Sequence, residues 1–395
     1  MRPKILIICT HFGQFEAAYR RLSYFIKYLR SKQLRVCCAG FIQTTSRGLV
    51  KPSKECYGIP FAVSTRNQAI NLLVNAILSF AMTLIILILR PKVVIVSIPD
   101  SYLVIACYLG CILTRSRLII DVRDPQEEIL VHVNKRGFSH LIARLLRRTN
   151  YSIYRRIHAV TGVTRTLITM LAREIRRPIH YAPNGADLEV FKPISREEAR
   201  KKLGFDQDSI LIAYVGYLSS YGYYNILPVL VAIRRIRKKL GINVKLVVAG
   251  PIYDEGVKRI IKSFKDELEY AGVLDTEKLV TLLSACDIGV IPRVGDPIYN
   301  YAVPVKFYEY VAMGLPSIVI ANKGGELAKI VEENKLGFVC EPEDQACLEN
   351  SILTLAINKD LLDKLRRNVL VFRRYIDRRI GAERLYRLIK ELLQE

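Results

Sequence analysis

Short apolar runs alternate with helix-like segments along the whole chain. The run ILIIC at 5–9 is followed by a helical pattern over 16–30, and VVIVSI and RLIIDV come later. After residue 205 the rhythm begins again with ILIAYVG, a helical pattern over 224–240 and VKLVVAG. Runs of this length between helices are typical of buried parallel strands. They predict an α/β fold with two doubly wound, Rossmann-like domains.

A break in this periodicity predicts where the domains meet. The segment YAPNGADLEVFKPIS contains Pro183, Asn184, Gly185 and Pro193, which interrupt regular structure. We therefore expect one domain over 1–182 and a second over 183–371.

One long apolar segment needs its own interpretation. Residues 70–89 carry no charge and are long enough to span a bilayer. The polar side chains recur at every fourth position and so share one helical face: Asn71, Asn75, Ser79 and Thr83. The strand VVIVSI follows directly and must lie beside the first strand. We therefore predict a buried or interfacial helix instead of a transmembrane one.

Charge is concentrated in the first half of the chain. The whole chain has a formal net charge of +23, and residues 1–180 hold 28 basic and 8 acidic side chains, a net of +20. This asymmetry indicates an anionic partner such as nucleic acid or lipid. The Arg-rich segment 138–160 suits an anionic membrane surface, and equally a solvated helix over the core. No nucleic-acid recognition motif is visible, so we expect no nucleic acid as a partner.

Cysteine and histidine spacing gives no sign of a metal site. Nine cysteines are scattered without a CxxC pair, which favours reduced thiols, and the five histidines lack zinc-ligand spacing. The triplet at 206–208 spells the DxD of metal-dependent transferases but precedes a strand, so we interpret it as a loop. We predict no bound metal and no cofactor.

Ligands of doubly wound sheets bind beyond the carboxyl ends of the strands. In the segment 293–320, Val305 should begin a helix whose free N–H groups attract an anion such as a diphosphate. Lys306 and Arg293 would supply positive charge to a leaving group, and Glu309 would accept hydrogen bonds from ribose hydroxyls. The alternative is that Lys306 and Glu309 form only a helix-surface ion pair.

The strand RLIIDV offers candidates in the first domain. Asp121 and Asp124 are carboxylates that can orient an acceptor hydroxyl, and Arg123 can hold a phosphate. The same spacing also arises from helix capping and turn formation. His11 at the end of the first strand either approaches a bound acceptor or only caps a turn.

Several motifs together resemble glycosyltransferase family 4 and related group 1 glycosyltransferases. PNGADLEVF, YVGYL, ACDIGVIP and IIDVRD are similar to separate parts of the family pattern, and the terminal FRRYIDRRIGAERLYRLIKELL resembles its returning helix. The donor-binding helix is similar in the variant P-x-K-x-x-E-Y-x-A-x-G-x-P, which falls on Pro304, Lys306, Glu309, Tyr310, Ala312, Gly314 and Pro316. The likeness covers nearly the whole chain.

The resemblance implies a GT-B fold, in which two Rossmann-like domains with parallel sheets face an interdomain cleft. The helix at about 372–395 would pack back on the first domain. The donor-binding residues it implies lie in the second domain: Gly216, Gly250, Gly272, Val273, Leu274, Arg293, Val305, Lys306 and Glu309. The catalytic and acceptor-side residues it implies lie in the first domain: Asp121, Arg123, Asp124, His11 and Gly13.

The chain departs from the family pattern in two places. Tyr217 and Tyr221 stand where family members often carry an Arg and a Lys for the diphosphate, and Tyr301 replaces the usual first glutamate. We expect Arg293 and Lys306 to restore the lost charge.

These observations together predict a glycosyltransferase that moves a sugar from a nucleotide-sugar donor to a lipid-linked or cell-surface glycan acceptor. The resemblance implies retention of configuration without a metal. An anionic membrane surface is the expected partner, with the enzyme peripheral on the cytoplasmic face of the cell membrane. The alternatives are a GT-B-fold nucleotide-sugar epimerase or hydrolase, and a non-catalytic basic membrane-binding module.

Overall fold

A computed structural model describes residues 4–11, 17–45, 48–50, 56–60, 68–99, 101–219, 223–252 and 254–394. They form two compact units. Unit 1 comprises Met1–Asn184 with Arg378–Glu395, and unit 2 comprises Gly185–Asp377. The sequence placed the first boundary at 182 and the return of the chain at about 372.

The strands and helices alternate as the apolar runs predicted. The strands are β1 (Ile5–His11), β2 (Val36–Thr45), β3 (Gly48–Val50), β4 (Cys56–Pro60), β5 (Val93–Ile98), β6 (Arg117–Val122), β7 (Ala159–Gly162), β8 (His180–Tyr181), β9 (Ile210–Val215), β10 (Val244–Ala249), β11 (Leu268–Gly272), β12 (Ile288–Pro292), β13 (Ser317–Ile320) and β14 (Gly337–Cys340). The helices are α1 (Ala17–Ser31), α2 (Gln68–Leu89), α3 (Leu103–Thr114), α4 (Gln126–Val133), α5 (Gly137–Tyr154), α6 (Arg165–Ile175), α7 (Arg196–Leu203), α8 (Leu227–Leu240), α9 (Glu255–Ser263), α10 (Thr276–Ala285), α11 (Val305–Ala312), α12 (Glu326–Glu333), α13 (Gln345–Ile357), α14 (Lys359–Phe372) and α15 (Arg378–Gln394).

Unit 1 is built on a sheet in the order β3-β2-β1-β5-β6-β7-β8, with β4 also pairing with β2. Its pairs are parallel, as predicted, except for the short edge pair β2–β3, which is antiparallel. The central strands β5 and β6 are almost fully buried because helices cover both faces. One helical layer contains α2, α3 and α5, which pack on one another.

The C-terminal helix α15 belongs to unit 1. It packs along α1, where Tyr28 and Tyr386 meet edge to face with ring centroids 6.4 Å apart. Leu385, Leu388 and Ile389 join the core under β1 and β5. The long apolar helix α2 lies against α3, and no helix among the described residues has the length and apolarity required to cross a bilayer.

Unit 2 is built on a second parallel sheet in the order β11-β10-β9-β12-β13-β14. β9 and β12 are the central pair, because the chain moves outward from β9 to β11 and then crosses back to β12. A switch of this kind opens a crevice at the carboxyl ends of the central strands, which is where ligands of doubly wound sheets bind.

Disulfide bonding differs from the expectation of reduced thiols. Cys340 and Cys347 form a disulfide between the end of β14 and the first turn of α13. Cys38 is also disulfide-bonded. The chain reverses between Cys340 and Cys347 and brings their Cα atoms within 5.7 Å, a proximity that sequence spacing did not reveal.

Candidate functional site

Three glycines meet at the carboxyl ends of β9, β10 and β11. The Gly216 N–H donates to the Ala249 carbonyl, and the Gly250 N–H donates to the Gly272 carbonyl. Gly216 and Gly250 both have φ of +143°, which favours glycine. A Cβ on Gly250 would lie 1.9 Å from the Gly216 carbonyl oxygen. The structure thus brings these three predicted donor-binding residues together, and we call them the glycine corner.

Lys306 points its amine toward this corner from the first turn of α11. A Cβ on Gly216 would lie 2.9 Å from the Lys306 Nζ, so the amine occupies space that a side chain at 216 would take. Lys306 is 8% exposed, and its Nζ has no hydrogen-bond partner. A buried cation without a partner is costly, and it is most useful where an anionic ligand completes its coordination.

Two tyrosine rings surround the unpartnered amine. The Lys306 Nζ lies 4.0 Å from the ring centroid of Tyr214 and 3.6 Å from that of Tyr224. Aromatic faces attract a cation, although more weakly than a carboxylate would. Burial lowers the pKa of Lys306 well below its usual value, the Arg293 cation lowers it further, and Glu309 opposes the shift. The Lys306 amine therefore gives up its proton more readily than an exposed lysine does, and a bound anion would favour its charged form.

Glu309 lies one turn further along α11 and is 2% exposed. Because Lys306 and Glu309 are both buried and the Lys306 Nζ has no hydrogen-bond partner, the alternative of a helix-surface ion pair is wrong. The ribose-binding role of Glu309 stays a prediction.

The sequence suggested that Arg293 supplies positive charge to a leaving group, but in the structure its guanidinium is anchored to the backbone. Its Nη1 donates to the carbonyls of Tyr299 and Ala302, both at 2.8 Å, so the guanidinium holds the short 3-10 helix Pro297–Tyr301 that leads into α11. A side chain anchored in this way is fixed in place. The positive charge of Arg293 lowers the pKa of Lys306, and its hydrogen bonds hold the short helix that ends at Tyr301.

Helix α11 begins with open backbone donors. Its N-cap is Pro304, which has no side-chain hydrogen bond to the helix, and Val305 is its first residue. The Phe307 N–H donates to the Pro304 carbonyl, so the N–H groups of Val305 and Lys306 and the positive end of the helix dipole are the features that can attract an anion. The predicted helix start is confirmed.

Tyr310 ties α11 to the strand that carries the glycine corner. Its hydroxyl accepts from the Val215 N–H at 3.0 Å and donates to the Ala213 carbonyl at 3.1 Å. The ring needs the absence of a side chain at Gly289, where a Cβ would lie 2.3 Å from it. The tyrosine in the motif therefore positions the helix, and the glycine of DIGVIP makes room for it.

The remaining donor-side candidates lie beyond β11. Val273 and Leu274 follow Gly272 and are half-buried, with Leu274 packed against the core below. Tyr217 packs edge to face against Tyr224, and burial raises its pKa to about 12, so it is neutral at physiological pH. Tyr221 lies outside the described residues. Contact of any of these with a nucleotide stays a prediction.

Asp121 is fully buried at the end of β6 and is held by neighbours within unit 1. Arg21 donates to its Oδ1 at 3.0 Å, Thr161 donates to the same oxygen at 2.8 Å, and Ser97 donates to Oδ2 at 2.9 Å. Burial alone would raise the pKa of Asp121, but the charge and hydrogen bond of Arg21, the hydrogen bond of Thr161 and the charge of Arg123 lower it. This placement favours a positioning role over direct contact with an acceptor.

Arg123 is a better placed acceptor-side candidate than Asp121. It is half-buried, its Nε is buried without a hydrogen-bond partner, and its Nη2 lies 4.0 Å from the Cys9 sulfur. The Asp124 carbonyl accepts from the Gln126 N–H in the turn before α4. His11 is the last residue of β1, and Gly13 lies outside the described residues. Their catalytic and acceptor roles stay predictions.

The DxD-like triplet forms a turn at the opposite end of the second sheet from α11. Asp206 accepts from the Asp208 N–H at 3.1 Å and from the Asn243 side chain at 2.9 Å. The interpretation of 206–208 as a loop is confirmed. No cluster of potential metal-ligating side chains occurs among the residues that the structure describes.

Sequence reasoning missed three side chains that shape these sites. Arg21 on α1 holds Asp121, and its signal was a basic residue within the apolar helical pattern. Tyr214 and Tyr224 provide the rings around Lys306. Tyr214 stands inside the buried run ILIAYVG, where a polar hydroxyl needs a partner and so marks a contact worth seeking.

Comparison with known proteins agrees with this geometry. Residues 195–370 match the family described as glycosyl transferases group 1. This range lies within unit 2 and contains all three residues of the glycine corner and all of α11. The likeness to group 1 glycosyltransferases is confirmed for this domain.

The chain matches only about half the length of the individual relatives. The probable glycosyltransferase WbjE of Pseudomonas aeruginosa is 24% identical over 245 residues, 59% of this chain and 58% of that protein. The lipopolysaccharide 1,2-N-acetylglucosaminetransferase of Salmonella typhimurium is 26% identical over 215 residues, 50% of this chain and 52% of that protein.

The fold match extends over the whole chain. The sucrose-phosphate synthase of Thermosynechococcus elongatus superimposes with a TM-score of 0.75 at 15% identity and covers 99% of both chains. At this identity the match concerns the fold alone. The predicted GT-B fold is confirmed.

Proposed function

From the group 1 glycosyltransferase domain at residues 195–370, we propose that the protein transfers a sugar from a nucleotide-sugar donor to a glycan acceptor. The observation that carries this proposal is the buried, unpartnered Lys306 amine beneath the glycine corner. A diphosphate bound there would receive the Lys306 ammonium and the early N–H groups of α11. Both features favour an anion over a neutral ligand.

The chemistry assigned to this site is stabilisation of the leaving group. When the bond from the sugar to the diphosphate breaks, negative charge accumulates on the nucleoside diphosphate. Lys306 and the start of α11 are fixed where that charge would develop, because Tyr310 holds the helix against β9. Preorganised donors of this kind cost no reorganisation during the reaction.

The finer parts of the proposal concern the acceptor and the stereochemistry. The Salmonella relative is named for lipopolysaccharide, which supports a lipid-linked or surface glycan as the acceptor. Unit 1 would bind it, with Arg123 as the side chain available for a phosphate. We propose retention of configuration, no metal requirement and a peripheral position on the cytoplasmic face of the cell membrane.

The test is the release of nucleoside diphosphate from a panel of nucleotide sugars, with and without a membrane lipid extract. The variants are Lys306→Ala and Glu309→Ala. The matched controls are Lys329→Ala and Glu332→Ala, which change an exposed lysine and glutamate of the same spacing on α12. We expect release that selects one donor, needs the extract, and falls by about a hundredfold in each site variant, the scale of one lost charge-stabilising contact.

The other outcomes separate the alternatives. Turnover of donor without any acceptor would indicate an epimerase or hydrolase. If no donor binds or reacts and the site variants behave like the controls, the donor site is wrong, and a non-catalytic membrane-binding module becomes the better account.

A further inference from the structure

Helix α2 buries the polar side chains of Ser79 and Thr83 and turns a stripe of apolar side chains outward. The Thr83 hydroxyl donates to the Ala106 carbonyl of α3 at 2.7 Å, and the Ser79 hydroxyl contacts the Tyr102 carbonyl at 3.3 Å. Both side chains are at most 9% exposed. The opposite side of the helix carries exposed side chains three or four residues apart, which therefore form one stripe: Ile77, Phe80, Leu84 and Ile88. An ordinary surface helix, with its apolar side on the core and its polar side in water, would show the reverse arrangement.

The neighbouring helices extend this apolar character. Of the 21 large apolar side chains that are exposed among the described residues, 11 lie between 77 and 145. α3 packs closely on α2, where Gly110 lets Ile86 approach, and α5 packs on both helices. The exposed apolar residues of these two helices are Leu109, Ile112 and Leu113 on α3, and Phe138, Leu141 and Leu145 on α5. We call this set and the α2 stripe the apolar face.

The charge of the same helices has one sign. α2 and α3 contain no charged residue, and α5 contains three arginines and no acidic residue. Arg144 and Arg148 are exposed and stand beside Leu141 and Leu145 on consecutive turns of α5. Arg136 and Lys135 are exposed just before this helix. The apolar face is therefore bordered by positive charge without a compensating carboxylate on α2, α3 or α5.

We infer that the apolar face docks onto an anionic lipid bilayer, with the α2 stripe inserted among the acyl chains and Arg144 and Arg148 on the phosphates. Apolar area and basic residues bind such surfaces additively. A second copy of the chain is a poorer occupant, because a two-fold contact through this face would bring the arginines of both copies together. This inference names the surface for the membrane position included in the proposed function, but it does not depend on sugar transfer, since it uses neither the glycine corner nor Lys306.

The first test is flotation of the purified full-length chain with vesicles. Vesicles of phosphatidylcholine with about 30% phosphatidylglycerol are compared with phosphatidylcholine alone, at low and physiological salt. The variant Leu84→Glu places a carboxylate in the α2 stripe, and Ile357→Glu is its control, because both positions are about 60% exposed and lie in different units. We expect the wild type and the control to float with the anionic vesicles, and Leu84→Glu to lose at least tenfold in partition.

A second pair of variants tests the charge. Arg144→Ser/Arg148→Ser removes the basic border, and Lys238→Ser/Lys239→Ser removes two exposed lysines of α8 in unit 2. The arginine variant should lose about tenfold or more in partition into anionic vesicles, because each basic residue at such a surface contributes about fivefold. The lysine variant should retain wild-type partition.

Insertion itself can be read directly because the chain contains no tryptophan. Leu84→Trp should show a blue-shifted emission with anionic vesicles and quenching by lipids brominated on the acyl chains. Ile357→Trp should show neither. Circular dichroism confirms that each variant folds, and nucleotide binding in unit 2 should be unchanged throughout.

Three results would overturn the inference. The wild type could fail to float with anionic vesicles, or Leu84→Glu or the arginine variant could bind like the wild type. Alternatively, light scattering could find a dimer that Leu84→Glu dissociates, with an unquenched tryptophan at 84, and the face would then join two copies. Loss of donor turnover with normal flotation would contradict only the proposed sugar transfer.

Discussion

Lys306 makes the ligand-free protein less stable than it would be with an uncharged side chain. Burial and Arg293 lower the pKa of the amine, so the folded protein binds fewer protons at this site than the unfolded chain does. Stability therefore rises with pH, and the penalty disappears only near the ordinary pKa of 10.5. The buried amine lowers the stability of the ligand-free protein, and the same amine favours binding of an anion.

We expect Lys306→Met to raise the melting temperature of the ligand-free protein by about 2–4 °C near neutral pH, as about 1 kcal/mol does in a domain of this size. The gain should shrink as the pH approaches 10.5, while nucleoside diphosphate affinity is lost. Calorimetry at several pH values checks this, with the exposed Lys258→Met as the control. A lower melting temperature at every pH would show that the amine is already charged and satisfied without ligand.

Gly250 provides a second test at this scale, because its backbone carries the contact with Gly216. Gly250→Ala would place a methyl group 1.9 Å from the Gly216 carbonyl oxygen at a φ of +143°. We expect a loss of about 3 kcal/mol in the free energy of unfolding and weaker nucleotide binding. Gly204→Ala, also at positive φ but with open space around it, should cost about 1 kcal/mol and leave binding intact. Urea denaturation and nucleotide titration separate the two, and equal losses would contradict the close contact.

The sequence identified the residue types of the donor site but not their surroundings. The spacing of Lys306 and Glu309 placed both on one face of a helix, and the positions after β9, β10 and β11 indicated the three glycines. Whether Lys306 was exposed could not be predicted, because its burial depends on Tyr214 and Tyr224, which come from distant parts of the chain. The anchoring of Arg293 depends in the same way on the 3-10 helix that follows it.

At the scale of elements, α11 is positioned by one hydroxyl. Tyr310→Phe keeps the ring in the space above Gly289 but removes both hydrogen bonds to β9. The Val215 N–H is then left without its partner, which costs about 1–3 kcal/mol. We expect nucleotide affinity to fall several-fold as well, because the start of α11 would no longer be fixed against the glycine corner.

Urea denaturation and nucleotide titration measure both effects. Tyr375→Phe is the control, since that side chain is 56% exposed and its hydroxyl accepts from the neighbouring Arg374 at the surface. Wild-type affinity in Tyr310→Phe would mean that packing of the ring alone positions the helix.

Helix α2 shows the limit of reading amphipathicity from periodicity. The four-residue spacing of its polar residues correctly placed Ser79 and Thr83 on one face. Periodicity does not say which face is buried, and the ordinary assumption that the polar side meets solvent is reversed here by Ser79 and Thr83, which bond to carbonyls of α3. The alternation of apolar runs predicted the succession of strands and helices more securely, because buried parallel strands need helices between them.

At the scale of the molecule, the chain leaves unit 1 through a segment that is held from within the unit. Arg21 donates to the carbonyls of Ala182 and Pro183 and to the Asn184 side chain, and it pairs with Asp121. The linker PNGADLEVF was recognisable from its proline and glycine. Its anchor was not, because Arg21 lies about 160 residues earlier on α1.

This anchor gives a prediction for the stability of the molecule. The pKa of Asp121 is lowered in the folded state, so its contribution to stability is present above the ordinary pKa of 3.8 and is lost as the pH falls through the lowered value. Arg21→Met removes the cation that is hydrogen-bonded to the buried Asp121 carboxylate, which should cost about 3–5 kcal/mol.

The double variant Arg21→Met/Asp121→Asn should recover part of this loss, because it removes both charges together. It cannot recover all of it, since the carbonyls of Ala182 and Pro183 still lose their donor. A double-mutant cycle by urea denaturation at about neutral pH measures the coupling, which should exceed about 1 kcal/mol for a contacting buried pair. Additive effects of the two substitutions would show that Asp121 is stabilised by Ser97 and Thr161 alone. The catalytic interpretation of Asp121 would then regain ground over the positioning role, because a carboxylate that does not need Arg21 is free to serve an acceptor.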